Sequence, residues 1–165
     1  MRVKLQIATA DDVSDLVTLR NAVSQHLAEQ YGRGPWSSGS TKKGALFAMR
    51  ISKVYVARHR SCLIATLTLS TRKPWAIDTK YFSQGQRPLY LTSMAVSPEY
   101  QRRGIGRLCM EEARRVAKKW PSDAIRMDAF DAEAGAGEFY RKCGFREVGR
   151  ATYRNAPLVY FEMRL

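Results

Sequence analysis

The sequence predicts an α/β fold (mixed α and β) in which helices cover a mixed β-sheet. Some short segments alternate apolar and polar residues, as strands do, whereas others repeat apolar residues at helical spacing. Along the chain these segments follow the order β-α-α-β-β-β-α-β-α-β-β, which is typical of a layered domain. Because 165 residues are enough for a buried core, we expect a single domain over residues 1–165.

The first third of the chain predicts a strand and two helices. "VKLQIA" at 3–8 alternates like a strand. Thr9 and Asp12 have the spacing of a capping box, which predicts a helix that runs from there to about residue 30. A loop rich in Gly, Pro and Ser follows, and a short helix is expected over about 41–51.

The middle of the chain predicts three strands and a longer helix. "KVYVARH" and "SCLIATLTLS" are separated by a polar turn and predict a hairpin. A long loop over 71–88 leads to the strand "LYLTSMAV". The pattern of residues 105–119 predicts a helix, which Pro121 ends.

The C-terminal part predicts three more strands and one helix. The strands are "AIRMDAF" at 124–130, "FREVGR" at 145–150 and "LVYFEMRL" at 158–165. "EAGAGEFYRKC" predicts a helix weakened by its glycines, with Gly144 in the position that follows a helix end.

The charge of the chain favours an anionic ligand. The formal net charge is +13, and residues 31–100 carry eleven basic side chains against two acidic ones. Nucleic acid, membrane lipid and a phosphate-rich cofactor all suit such a field. No run of eighteen apolar residues exists to span a membrane, and the start of the chain lacks the apolar core of a signal peptide. We therefore expect a cytoplasmic protein without a membrane partner.

The cysteines predict no metal site. Cys62, Cys109 and Cys143 form neither a CxxC motif nor a cluster with histidine. Scattered thiols of this kind are typical of small buried side chains.

The turn "SPEYQRRGIG" between a predicted strand and a predicted helix carries the strongest functional signal. Pro98 ends the strand, and Gly104 and Gly106 permit backbone geometry that a Cβ would obstruct. The amides from Arg102 to Arg107 can then point at one place, where the helix dipole and the guanidinium groups add positive charge. We predict a diphosphate site here, although the third glycine of the dinucleotide fingerprint and the lysine of a Walker loop are absent.

These residues also carry a resemblance. Gln101-Arg102-Arg103-Gly104-Ile105-Gly106 resembles the (Gln/Arg)-x-x-Gly-x-(Gly/Ala) signature of the GNAT superfamily of N-acetyltransferases. "LTSMAVSPEYQRRGIG" is similar to the family's fourth strand and coenzyme A pyrophosphate loop, and "GEFYRKCGF" is similar to its "FYxxxGF" segment. The resemblance covers about residues 89–165, whereas residues 1–70 match only in the order of their elements.

The resemblance implies a mostly antiparallel sheet whose fourth and fifth strands splay apart, with acetyl-CoA in the gap. The implied cofactor contacts are the backbone groups of Met94, Ala95 and Val96 and the loop residues Gln101, Arg102, Arg103, Gly104, Ile105, Gly106 and Arg107. Glu133 takes the position at which the family commonly has Asn, and we include it as a cofactor-side candidate.

Acetyl transfer from a thioester to an amine needs a neutral amine, a stabilised oxyanion and a proton for the leaving thiolate. Backbone N–H groups near "SMAV" are the candidate oxyanion donors. The resemblance places the family's frequent tyrosine acid at Tyr140, a phenol that stays protonated at neutral pH; the alternative is that Tyr140 only packs beside Phe139. No base is assigned, because "LYLTSMAV" has no carboxylate and Asp78 and Glu99 are the only acids of residues 31–100.

The expected acceptor is a primary amine of a small molecule, with an amino-acid-like molecule as one candidate, or of a peptide, attacked directly in a ternary complex. The basic composition of residues 31–100 disfavours a polycationic acceptor and suits an amine that carries a carboxylate or an apolar body. The candidate acceptor residues are Trp36, Trp75, Tyr81, Phe82, Arg33, Arg72, Lys73 and Arg87.

Two other function classes stay open. One is a basic nucleic-acid-binding protein, although no known signature is present and we expect non-specific binding only. The other is an acetyl-CoA sensor without catalytic activity. A homodimer also stays open.

Overall fold

The computed structural model describes residues 3–165, which form one seven-stranded sheet with α-helices on both faces. The strands are β1 (Gln6–Ile7), β2 (Lys53–His59), β3 (Cys62–Ser70), β4 (Pro88–Val96), β5 (Ala124–Phe130), β6 (Arg146–Tyr153) and β7 (Ala156–Arg164). The helices are α1 (Val13–Tyr31), α2 (Lys42–Ile51), α3 (Ile105–Lys119) and α4 (Gly137–Lys142). Across the sheet the strand order is β1-β2-β3-β4-β5-β7-β6.

The middle of the sheet opens between β4 and β5. All other neighbouring strands are antiparallel, whereas β4 and β5 are parallel and pair at three positions only, the last of which joins Tyr90 to Arg126. Beyond that pair, residues 91–96 stay bonded to β3 and residues 127–130 to β7, but not to each other. We call this opening the split. The predicted mixed sheet, mostly antiparallel and splayed between its fourth and fifth strands, is confirmed.

Both faces of the sheet are covered by apolar side chains. On one face, α3 packs through buried residues such as Ile105 and Met110. On the opposite face, α1 packs Leu16 over β2, and the loop of residues 71–87 packs Phe82 against Tyr160 of β7. Burying one large apolar side chain of this kind stabilises the fold by about 1.5–3 kcal/mol. The split therefore lies in a sheet that is held firmly on either side.

A β-bulge in β4 lies at the mouth of the split. Thr68 of β3 pairs with Thr92, but Thr66 pairs with Ala95, so β4 has one residue more than β3 in this stretch. Ser93 supplies the extra residue and adopts a left-handed conformation with φ of 52°. Because a bulge bends its strand and increases the local twist, it turns the end of β4 away from β5.

Two local predictions at helix ends are confirmed in detail. The Thr9 N–H donates to Asp12 Oδ2 at 2.7 Å, although the capped turn is a 3-10 turn and α1 begins only at Val13. After α4, Gly144 has φ of 91°; its N–H donates to the Arg141 carbonyl oxygen, and the Phe145 N–H donates to that of Tyr140. This pattern is a Schellman motif.

Three other element predictions need correction. The first strand has two residues rather than six, and α4 begins at Gly137 rather than near residue 133. A Cβ on Gly135 would collide with the Phe130 carbonyl oxygen, so the glycine serves a tight turn and not a helix. The last two strands are longer than predicted, because the turn of Arg154 and Asn155 joins them with positive φ at both residues.

Candidate active site

A cavity of about 630 Å³ lies between the end of β4, the start of α3, and α4. This volume is in the range of small-molecule sites. Its walls are Val23 and Leu27 of α1, Met94, Ala95 and Val96 of β4, Gln101, Arg102, Gly104, Ile105, Gly106 and Arg107 of the turn and α3, and Ala134, Ala136, Phe139, Tyr140, Lys142 and Cys143 around α4. Nine of the eleven predicted cofactor residues therefore meet in one cavity together with Tyr140.

The start of α3 has the geometry of an anion site. Arg102 and Gly104 both adopt left-handed conformations, with φ of 58° and 78°. No side chain caps α3 and no acidic residue lies in its first turn, so its first N–H groups are free of a side-chain acceptor. Uncapped amides, the helix dipole and adjacent arginines together favour a phosphate group.

The two glycines of the turn have different physical roles. Nothing lies within 4 Å of a Cβ built on Gly104, so its positive φ is the reason for glycine there. A Cβ on Gly106 would lie 3.0 Å from the Phe139 ring and 3.8 Å from Met94. Gly106 therefore lets α3 approach α4 closely, and this contact closes one wall of the cavity.

Gln101 lines the cavity and also forms a hydrogen bond with the protein backbone. Its Nε2 donates to the Val96 carbonyl oxygen at 3.0 Å, which joins the turn to the end of β4. The Ser97 N–H donates to the Ile64 carbonyl oxygen of β3 at 2.9 Å. Because the Ser97 N–H bonds to β3 and backbone groups alternate in direction along a strand, those of Val96 point away from β3, toward the split, and the same alternation predicts this direction for Met94.

Two predicted cofactor residues lie outside the cavity wall. Arg103 is exposed and stacks on the Tyr100 ring, with its guanidinium carbon 5.7 Å from the ring centroid. Glu133 is exposed, and its neighbour Ala134 contributes to the wall instead.

Tyr140 is buried at the wall of the cavity. It is 6% exposed, and its ring lies 5.0 Å from that of Phe139, 5.8 Å from that of Phe145 and 6.1 Å from that of Phe161. Burial raises the pKa of this phenol, and the charges of Cys143 and Asp128 add to the effect. Tyr140 is therefore a protonated phenol across the physiological range. The Schellman motif at Gly144 brings Phe145 back onto this ring.

Asp128 is a functional candidate that the sequence analysis missed. It lies on β5 two residues beyond the last pair with β4, and burial raises the pKa of its carboxyl, although a hydrogen bond from its own N–H opposes the rise. Among the described residues, no basic side chain forms an ion pair with it. The available signal was a lone carboxylate in the otherwise apolar second half of "AIRMDAF".

Asp78 and Glu99, the two acids that the sequence analysis considered as catalytic bases, lie in other surroundings. The Asp78 carboxylate accepts a hydrogen bond from the Lys80 N–H and pairs with the Lys80 ammonium, and these bonds lower its pKa. Glu99 is exposed in a 3-10 turn after β4. Like Asp128, neither is among the residues that line the cavity, but unlike Asp128 neither lies on a strand that borders the split.

The aromatic residues among the predicted acceptor residues divide into three groups by what they contact. Phe82 and Tyr81 pack on Tyr160 and fasten the loop of residues 71–87, whereas Trp75 is 89% exposed. Trp36 packs against Phe130 near the end of β5, with 5.9 Å between the ring centroids. Trp36 thus lies near the end of the strand that bears Asp128, and Phe82 contacts Arg126 of the same strand.

The predicted basic acceptor residues are exposed, and two of them bind the protein itself. Lys73 Nζ donates to the Ile77 carbonyl oxygen, and Arg87 pairs with Asp123. Arg33 and Arg72 are at the surface.

The described part of the chain offers neither a metal site nor a membrane span. No group of three or more His, Cys, Asp or Glu side chains in residues 3–165 is placed to hold a metal ion. No helix in the same range is long and apolar enough to cross a membrane.

Comparison with known proteins shows which family and which solved structures this chain is similar to. The acetyltransferase (GNAT) family model matches residues 20–145, whereas no curated protein matches the chain in sequence. A GNAT-family acetyltransferase of Listeria monocytogenes shares 15% identity, with 99% of this chain and 95% of that chain covered and a TM-score of 0.75. The ribosomal-protein-alanine N-acetyltransferase of Brucella melitensis shares 16%, with 98% and 99% covered and a TM-score of 0.74.

A third similar structure was solved with a ligand. The PaiA N-acetyltransferase of Thermoplasma acidophilum, in complex with coenzyme A, shares 19% identity, with 100% of both chains covered and a TM-score of 0.69. At these identities the structural likeness shows the fold. Because the family model covers most of the sequence and the split, bulge and turn agree with it, this chain belongs to the acetyltransferase (GNAT) family.

Proposed function

We propose that this protein transfers an acetyl group from acetyl-CoA to a primary amine of a small, amino-acid-like molecule or a peptide. One observation carries the proposal: a single cavity connects an uncapped helix start, suited to a diphosphate, with a buried tyrosine and a bulged strand. Membership of the family supports acyl transfer, and the coenzyme A complex of the Thermoplasma relative supports the choice of co-substrate.

The cavity residues fit acetyl-CoA in shape and charge. The amides and arginines of residues 101–107 would hold the diphosphate. The backbone groups of Met94 and Val96 that face the split would bond the amide-rich arm of the co-substrate, as an added strand bonds a sheet edge. Ala95 lies between them and completes that edge. Arg103 and Glu133 lie off the wall, so the proposal rests on the other nine residues.

Tyr140 would give the proton that the departing sulfur needs. Its phenol is protonated at neutral pH even at the ordinary tyrosine pKa of about 10, and burial raises that pKa further. As the bond from the acetyl carbon to sulfur breaks, the hydroxyl donates to the sulfur and the thiolate leaves as a thiol. Backbone N–H groups beside the Ser93 bulge would stabilise the negative oxygen that forms before the bond breaks.

Asp128 would accept the proton of the attacking amine, directly or through a water molecule. A base works best when its pKa is near the working pH, and burial shifts the pKa of Asp128 in that direction. The assignment supplies the base that the sequence analysis left open.

The cysteines support direct transfer rather than a covalent acyl-enzyme. Burial raises the pKa of Cys109 to about 12, and it raises that of the half-buried Cys143 as well. Because the thiolate is the reactive form, neither thiol is activated as a nucleophile. The amine is therefore expected to attack the thioester within a ternary complex.

Calorimetric titration with acetyl-CoA tests the cofactor part of the proposal. Gly104→Asp places a carboxylate at the diphosphate site, and we expect affinity to fall by roughly 10- to 100-fold, because charged hydrogen bonds worth about 1.5–3 kcal/mol are opposed. Gly85→Asp is a matched control: it also has a positive φ, 70°, and open space around a Cβ. Equal affinity of the two variants would refute the site.

A screen of primary amines for release of free coenzyme A tests the enzymatic part. Turnover with any amine distinguishes an enzyme from a sensor that binds acetyl-CoA silently. Salt-sensitive submicromolar binding of an oligonucleotide, unaffected by acetyl-CoA, would instead favour a nucleic-acid-binding protein.

A further inference from the structure

Arg20 of α1 is a half-buried arginine, and two of its guanidinium nitrogen atoms have no hydrogen-bond partner among the described residues. Its Nε and Nη2 atoms are shielded from solvent and form no hydrogen bond with any residue in 3–165. Burial lowers the pKa of the guanidinium, yet arginine stays charged in proteins. A buried charge without a partner destabilises a fold, so its presence calls for a physical reason.

The acidic residues near the start of α1 do not supply that partner. Asp12 and Asp15 both pair with Arg58 of β2. Farther along the helix, Glu29 accepts a hydrogen bond from Gln25. Among the described residues, no carboxylate lies within 4.0 Å of Arg20.

The helix places Arg20 beside the cavity. Leu16, Arg20, Val23 and Leu27 recur at the three- and four-residue spacing that puts side chains on one face of a helix. Leu16 packs over β2, while Val23 and Leu27 line the cavity. Arg20 is one helical turn from Val23, about 4.5 Å along the axis.

The sheet under α1 offers polar groups as well. α1 packs across β3 and β4, where Thr68 and Thr92 are cross-strand partners on one face. Thr68 is 4% exposed, and its buried hydroxyl oxygen has no hydrogen-bond partner among the described residues. A guanidinium and an unpaired hydroxyl group on facing elements suit a ligand with several acceptor oxygens.

We propose that Arg20 binds the carboxylate of the acceptor, so that the substrate class is a small amine that also carries a carboxylate. The inference rests on the proposed function. The planar guanidinium donates two parallel hydrogen bonds to a carboxylate, a geometry that a lysine cannot reproduce. Because one turn of α1 separates Arg20 from the cavity, the carboxylate and the reacting amine fit within one amino-acid-sized molecule.

The first test measures binding and needs no turnover. The melting temperature of the coenzyme A-bound protein is measured with each standard amino acid and with its carboxamide, which has lost the negative charge. We expect at least one amino acid to raise the melting temperature of the wild type while its carboxamide does not. Arg20→Met should abolish that shift, and Arg20→Lys should keep part of it.

Arg164→Met is the matched control for this test. Arg164 is exposed at the far end of β7, opposite Ala124, and its loss removes the same charge. The shift should persist in that variant. The inference is refuted if no amino acid stabilises the wild type, if a carboxamide stabilises it equally, or if Arg20→Met keeps the full shift.

The second test follows coenzyme A release with the same pairs of compounds. We expect kcat/KM for the amino acid to fall by roughly 100-fold in Arg20→Met, as expected for the loss of a charged hydrogen-bond pair. The KM for acetyl-CoA should stay unchanged. Binding through Arg20 without any turnover would refute the proposed function and leave the carboxylate site standing. Turnover of amines that does not depend on Arg20 would refute the carboxylate site and leave the proposed function standing.

Discussion

Buried polar groups are paired in the part of the sheet that the loop of residues 71–87 covers, whereas they are unpaired around the split. We call this loop, together with Arg126 and Glu162 beneath it, the anchored region. Under the loop of residues 71–87, Arg126 is 5% exposed and Glu162 is 2% exposed, and Arg126 Nε donates to Glu162 Oε2 at 2.8 Å. The second oxygen of Glu162 accepts from the Ser83 hydroxyl, and Arg126 Nη2 donates to the Ser83 carbonyl oxygen. Arg126 and Glu162, the two buried charges of this anchored region, are therefore both paired.

Around the split the same kinds of groups are unpaired. Arg20 and Thr68 have buried atoms without partners, and Asp128 and Tyr140 have pKa values raised by burial. Arg126 and Asp128 are two residues apart on β5 and so project from the same face of the sheet. Paired charges thus hold the loop in place, and the unpaired groups around the split support the proposal that this region binds the substrates.

The contrast predicts that substitutions near the split change catalysis and those in the anchored region change stability. The largest effect is expected for Tyr140→Phe, which keeps the ring and removes the hydroxyl. Loss of a general acid should lower kcat by about 10²–10⁴-fold under conditions where chemistry limits the rate. The KM for acetyl-CoA should change much less, because the proton is needed only in the transition state.

The control for Tyr140→Phe is Tyr153→Phe on β6, a half-buried tyrosine outside the cavity wall. Steady-state and single-turnover rates of both variants are compared with the wild type. If Tyr140→Phe keeps a near-normal kcat, Tyr140 is a packing residue, and the expectation that substitutions near the split change catalysis is wrong for this residue.

Glu162→Gln should affect stability instead. The change leaves the Arg126 guanidinium buried without its counter-charge, and breaking such a pair costs about 3–5 kcal/mol of unfolding free energy. Urea denaturation measures the loss. Glu138→Gln provides the comparison, since Glu138 forms exposed ion pairs with Arg141 and Lys142, which are worth less than about 1 kcal/mol.

Acetyl-CoA affinity of the folded Glu162→Gln variant should stay near that of the wild type. A stability loss no greater than that of Glu138→Gln would show that the anchored region does not depend on its ion pair.

Asp128→Asn is expected to lower kcat/KM at neutral pH by about 100-fold, because a general base is lost. Its effect on stability has the opposite sign to that of Glu162→Gln. A carboxyl whose pKa is raised on folding stabilises the protein below its unfolded pKa, here 3.8, and this contribution is lost as pH rises through the folded pKa. At neutral pH the variant should therefore be more stable than the wild type, and the difference should vanish toward pH 3.8.

Urea denaturation across that pH range, together with pH–rate profiles, checks both expectations. Asp131→Asn is the control, because Asp131 pairs with Arg150 at 3.1 Å near the protein surface. A wild-type protein that is equally or more stable than Asp128→Asn at neutral pH would contradict the buried, unpaired state of this carboxyl.

The sequence by itself determined the features that depend on a few adjacent residues. Pro98 and Gly104 mark the turn between β4 and α3, and Gly144 marks the end of α4, because each requires a backbone conformation that few residues adopt. The spacing of apolar residues likewise predicted α3 and β5 with their observed bounds. The cavity wall around residues 101–107 follows from these local rules.

Only the tertiary structure decided which polar side chains meet at the split. In the sequence, Arg20 is one basic residue on an amphipathic helix and Asp128 is one acid in an apolar strand. Arg20 has no ion-pair partner among the described residues, and the acids that precede it, Asp12 and Asp15, pair with Arg58 of β2. Asp128 lies on the part of β5 that borders the split because β4 and β5 stop pairing at Tyr90 and Arg126. Both outcomes depend on burial and on partners distant in the chain, and no local pattern contains them.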